Sequence, residues 1–139
     1  MVMNIIRCSF DFDGTLSETH VQDYAQELIE RGIEVWIVTS RFENAEKYKD
    51  FFGTPTLDYS HSDLLEVADR IGISKENIHF TNMVEKSEFL TGKGFVFHLD
   101  DDYLQHRPIM MNAKIPSINV KKGSWKNKCE RYLKKLDSL

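Results

Sequence analysis

Proline is scarce in this sequence, with three residues in 139, and glycine contributes only seven. No stretch is rich enough in Pro, Gly or Ser to be a linker, and there is no internal repeat, which excludes collagen-like and low-complexity chains. Cysteine is scarcer still. Cys8 in an apolar run and Cys129 near the end make neither a disulfide framework nor a paired Cys-x-x-Cys ligand set, which argues against zinc and thiol redox chemistry. The five histidines have no metal-ligand spacing, and His20 and His98 read as structural residues. No apolar run approaches the ~20 residues that span a bilayer. The opening MVMNIIRCSF lacks the long apolar core and small-residue cleavage site of a secretory signal. The expectation is a cytoplasmic protein with no membrane partner.

What is present is ordinary globular composition, 41% hydrophobic and 29% charged, at a length that suits a single domain over residues 1–139. The net charge of −4 is unevenly spread, because residues 121–139 carry seven Lys/Arg against two acids.

Short apolar runs alternate with helical patterns. The runs Ile5–Phe10, Glu34–Val38, Ile78–Thr81, Phe95–Leu99 and Ile115–Val120 are short and rich enough in β-branched or aromatic residues to be buried strands. Val21, Tyr24, Ala25, Leu28 and Ile29 share a helical face, Thr19 and Gln22 have capping-box spacing, and Gly32 supplies a stop. Ser40 and Glu43 have the same spacing and predict a helix through about Phe51. Leu64, Leu65, Ala68 and Ile71 before Gly72 mark another, and Gly53–His61 is left as a loop. A last helix, about 124–136, carries the apolar stripe Trp125, Cys129, Tyr132, Leu133 and Leu136, with Lys126, Lys128, Arg131, Lys134 and Lys135 mostly off it. It is expected to dock on the core. Alternating strands and helices predict an α/β, Rossmann-like three-layer sandwich around a mainly parallel five-stranded sheet. Ligands in such sheets bind beyond the carboxyl ends of the strands.

Residues at those ends carry the chemistry. The first run leads into Asp11-Phe12-Asp13-Gly14-Thr15-Leu16, the second into Thr39-Ser40-Arg41, the third towards Lys86 at an expected helix start, and the fourth into Asp100-Asp101-Asp102. Carboxylates crowded in a partly desolvated site need a cation, and an all-oxygen donor set favours magnesium. An EF-hand loop is excluded, since Gly14 stands at loop position four rather than six and position twelve is Gln22.

Asp11-Phe12-Asp13-Gly14-Thr15-Leu16, Thr39, Lys86 and Asp100-Asp101, in that order, resemble the four motifs of the haloacid dehalogenase superfamily of aspartate-nucleophile phosphohydrolases. Receiver domains, in which the lysine follows the last carboxylate, have a different order. The resemblance implies that Asp11 attacks phosphorus and that Asp13 protonates the leaving oxygen and then activates water. It implies that Thr39 and Lys86 bind the phosphoryl group; beside them Ser40, a helix cap by its spacing, and Arg41, suited equally to a surface ion pair and to a phosphate contact, are further substrate-binding candidates. Magnesium would be held by Asp11, the Asp13 backbone carbonyl and Asp101 or Asp100. Thr39 lies only 26 positions after Asp13 and Lys86 only 47 after Thr39, room for core elements but for no inserted cap. A capless site suits substrates that cover it themselves, such as a phosphoprotein or a nucleic-acid end, to which the basic face of the last helix is a source of attraction. The expectation is a magnesium-dependent phosphomonoester phosphatase. The alternatives are a catalytically silent phosphate- or partner-binding relative and a phosphotransferase.

Overall fold

The computed structural model describes residues 4–44 and 60–137. Five strands, β1 Arg7–Phe10, β2 Glu34–Thr39, β3 Ile78–Phe80, β4 Phe95–Asp100 and β5 Ser117–Asn119, form one sheet in the order β3-β2-β1-β4-β5, and every pairing is parallel. The helices are α1 Thr19–Glu30, α2 Ser62–Ile71, α3 Lys86–Leu90, α4 Tyr103–Pro108, which runs on as a wider turn through Ile109–Ala113, and α5 Trp125–Asp137. The fold is the α/β, Rossmann-like sandwich that the alternation predicts. The chain builds β1, β2 and β3 in one direction and returns past β1 to build β4 and β5. The order therefore reverses between β1 and β4, where a crevice opens at the strand ends.

The two faces follow from the strand period of two. Val35 and Ile37 point into one core with Val21, Leu28, Leu64, Ala68, Cys129 and Leu133 from α1, α2 and α5. Trp36 and Val38 point the other way, against Leu90, Ile109 and Ala113. Gly32 ends α1 at φ +85°, and the Ile33 N–H bonds back to Leu28 O at 3.0 Å, the αL closure that glycine permits. Among the described residues no helix is long and apolar enough to cross a membrane.

Two capping-box readings do not hold. Helix α1 forms, but Gln22 is buried and its carbonyl accepts from Arg70 of α2 at 2.7 Å, and no side chain caps the helix at Glu18. None of residues 40–44 is helical. Their carbonyls are engaged sideways, Ser40 O by Met83 N–H at 2.9 Å and Arg41 O by Asn82 N–H at 3.2 Å, while Glu43 N–H bonds to Asn82 Oδ1 at 2.9 Å. Most of the predicted helix through Phe51, and most of the Gly53–His61 loop, lie outside the described residues. Helix α5 docks as expected, with Trp125, Cys129 and Leu133 buried.

Candidate functional site

Beyond the ends of β1, β2 and β4, a cavity of about 460 Å³ is lined by Asp11, Asp13, Thr39, Ser40, Lys86, Asp100, Asp101, Asp102, Tyr103 and Lys121. All the sequence-predicted site residues except Arg41 line it. Tyr103 and Lys121 were not foreseen.

At its floor Lys86, 2% exposed, opens α3 and reaches under the sheet edge. Its Nζ donates to Asp11 Oδ1 at 2.7 Å and to Asp100 Oδ2 at 2.6 Å. Burial opposes the charge on Lys86, but the two carboxylates outweigh it and raise its pKa above the ordinary lysine value. Burial pushes the Asp11 carboxyl up to about 8, aided by Asp100 and only partly offset by Lys86. Asp100 is buried too, yet the His98 N–H and the Lys86 ammonium hold it below the usual aspartate range.

The three consecutive aspartates divide into separate tasks. Asp100, fully buried, accepts from Lys86, from His98 Nε2–H at 2.7 Å and from its own chain at Asp102 N–H, 3.0 Å. Asp102 caps α4 by accepting from Leu104 N–H at 3.0 Å. Asp101 turns towards Thr15 Oγ1 at 3.3 Å, and the same hydroxyl lies 3.4 Å from Asp11 Oδ2. Gly14 is required beneath it: at φ +76° a Cβ would sit 2.4 Å from Asp101 Oδ2.

Asp11, Asp100 and Asp101 each bring a carboxylate oxygen within 4.8 Å of the others. The donors are hard oxygens, and burial penalises the charge on Asp11 by more than Lys86 returns, so a cation beside it would favour the ionised form. This set fits a hard divalent cation. Asp11 and Asp101 are its freer members, because Lys86, His98 and the Asp102 N–H already occupy Asp100.

On the β2 side, Thr39 is buried at the strand end and its Oγ1 accepts from Arg41 N–H at 3.3 Å. The Arg41 guanidinium forks onto Asp13, at 2.9 and 2.7 Å, and onto Asp63 at the start of α2, at 2.9 and 2.8 Å. It lies 5.1 Å from the Phe12 ring centroid. Here Arg41 reaches the cavity through Asp13 and not directly.

Beneath the floor lies a contact that the motif reading passed over. Ser9 pairs with His98 across the β1–β4 register, and its Oγ is 2.7 Å from His98 Nδ1; both residues are fully buried. The signal was in the sequence. A serine two residues before Asp11 and a histidine two before Asp100 interrupt apolar strands on the face that the aspartates share.

No family model and no curated protein matches this chain. Among solved structures, a hypothetical protein from Xanthomonas campestris is similar over 81% of this chain, at 18% identity and a TM-score of 0.32. The chain spans 63% of that protein's length.

Proposed function

We propose that this protein is a magnesium-dependent phosphatase that hydrolyses phosphomonoesters through an aspartyl phosphate, as its motifs' resemblance to the haloacid dehalogenase superfamily implies. The observation that carries the reading is the Lys86 ammonium bridging Asp11 and Asp100 on the floor of a cavity that Asp13, Thr39 and Asp101 also line. Such a floor fixes the Asp11 carboxyl in place and offers the ammonium's charge to an anion above it.

Asp11 uses one carboxylate oxygen to form a bond to phosphorus, and the bond from phosphorus to the ester oxygen breaks. Asp13, whose two oxygens accept from Arg41 at the cavity edge, turns out of that fork carrying a proton taken from solvent, gives it to the ester oxygen and then takes one from the water that attacks the aspartyl phosphate, which frees Asp11 and releases phosphate. Thr39, with its oxygen already accepting from Arg41, offers its own proton to a phosphoryl oxygen. Lys86 places positive charge beside both reacting groups. Asp11 and Asp101, with the Asp13 carbonyl, would hold magnesium, which would favour the ionised form of Asp11 and supply charge neutralisation between carboxylate and phosphate.

The test is hydrolysis of an aryl phosphate with magnesium and with excess chelator. Turnover is expected with magnesium and its loss in chelator, because the crowded carboxylates repel a phosphate dianion without a cation. Full activity in chelator removes the metal from the reading. Phosphate binding without turnover at any magnesium concentration favours the silent relative, and transfer to added alcohol acceptors in place of water favours a phosphotransferase.

A further inference from the structure

Burial of a histidine between two strands next to a candidate reaction centre calls for an account of what its two nitrogens do. His98 is fully buried, with Nδ1 2.7 Å from Ser9 Oγ and Nε2 2.7 Å from Asp100 Oδ2. A neutral imidazole carries a single proton, on whichever nitrogen its partners favour. Ionised Asp100 can only accept, so that proton sits on Nε2. Nδ1 therefore accepts, and the hydroxyl of Ser9 donates to it. The tautomer follows from the partners.

The chain of contacts continues to the cavity. The Nε2–H and the Asp102 N–H fix both oxygens of Asp100, and Asp100 Oδ2 takes one N–H of Lys86 while Asp11 Oδ1 takes a second. An ammonium has three N–H bonds. With two directions set, the third is set as well, and Lys86 lines the cavity. Rotation of Asp100 about its own side chain would swing that donor away from whatever occupies the cavity.

We propose that Ser9 and His98 are positioning residues for Lys86: through Asp100 they hold the lysine's third N–H aimed at the phosphoryl group. This rests on the phosphatase reading and adds to it two residues that touch neither substrate nor metal. The role needs a donor at the Nε2 position, which separates it from packing, since a packing role needs only volume.

Three substitutions distinguish the two. Gln at position 98 places its amide nitrogen near the site of Nε2 and keeps the donor to Asp100. Asn reaches only to the level of Nδ1, and Leu fills the space with no polar atom. Aryl phosphate turnover with magnesium is measured for the unsubstituted protein, His98→Gln, His98→Asn, His98→Leu and Ser9→Ala, together with each unfolding midpoint. His98→Asn and His98→Leu should lose about 10–100-fold in kcat, the scale of outer-shell partners at such sites, with KM nearly unchanged. His98→Gln should recover most of that loss, and Ser9→Ala, which frees the tautomer without removing the ring, should lose less than His98→Asn. Activity in folded His98→Asn equal to that of the unsubstituted protein overturns the proposal. So does a His98→Gln variant as impaired as His98→Asn, which would mark the ring's shape as what matters. Absence of magnesium-dependent turnover in the unsubstituted protein is a different failure, which overturns the phosphatase reading and this proposal with it.

Discussion

Asp11 is a carboxyl group 6% exposed, and its charge costs the fold more than Lys86 returns. The linkage can be signed group by group. Asp11 is raised from 3.8 to about 8, so between those values the folded protein binds more protons than the unfolded chain, and stability falls as pH rises through that window. Asp100 is lowered, so its contribution is present above the ordinary 3.8 and is lost as pH falls below it. His98 is lowered from 6.5, so acid costs stability as the unfolded chain takes up its proton first below that pH. Asp11→Asn removes the first of these and leaves the other two. In chelator, the variant's unfolding midpoint should be close to that of the unsubstituted protein at about pH 4, rise above it by several degrees towards pH 8 and stay level beyond, as removal of a costly buried charge would do. Magnesium should narrow the gap by binding the unsubstituted protein. A gap that shrinks with rising pH would mean that Asp11 is ionised and fully compensated by Lys86. On the phosphatase reading, turnover of the variant should be undetectable, since an amide does not replace the carboxylate as nucleophile.

Elements meet at Arg41, whose fork joins the end of β2 to Asp13 after β1 and to Asp63 at the start of α2. A planar guanidinium can hold two carboxylates edge-on, and a lysine ammonium cannot. On the phosphatase reading, Arg41→Lys should therefore misplace Asp13, the proposed proton donor, and lower kcat on alkyl phosphates by about tenfold or more, with less effect on activated aryl phosphates. Equal losses on both substrates would show that the fork supports the fold of the cavity rather than the proton transfer. At this scale the sequence was readable where the pattern is strong and repeated. The strand period in Glu34–Thr39, the helical face of Val21, Tyr24, Ala25 and Leu28 and the order of the strand-end residues need only hydrophobic spacing. The local cap signals at Thr19 and Ser40 misled, because one side chain or carbonyl has several possible partners. Arg70 claims Gln22, and the Asn82–Met83 backbone claims the carbonyls after Thr39. Which aspartate of Asp100-Asp101-Asp102 does which task was equally hidden, since it depends on the side-chain register of β4 against β1 and on the loop that leaves it.

Across the whole molecule, the basic end of the chain and the acidic cavity are neighbours of unequal intimacy. Helix α5 buries Trp125, Cys129 and Leu133, ties Glu130 to Tyr24 Oη at 2.6 Å and to Arg31 at 3.0 Å, and sets Lys126 3.5 Å from Glu27 of α1. None of its residues lines the cavity, whereas Lys121, four positions before it, does. An open strand-end site grips little of a small phosphate, so small substrates should saturate weakly, and a substrate carrying further anionic groups has Lys121 as its nearest extra cation. A contact of this kind releases counterions, so its contribution fades with salt. The comparison is catalytic efficiency on an oligonucleotide end phosphate and on an aryl phosphate, across salt concentrations, for Lys121→Ala and for a variant with Lys128, Arg131 and Lys134 neutralised together. Lys121→Ala should reduce the salt slope for the oligonucleotide by about one and leave the aryl phosphate nearly unchanged. The helix variant should behave as the unsubstituted protein on both. A larger loss of oligonucleotide efficiency in the helix variant than in Lys121→Ala would make the solvated face of α5 a track for a long polyanion. Indifference of both variants would leave a phosphoprotein or a compact metabolite as the better match to the proposed site.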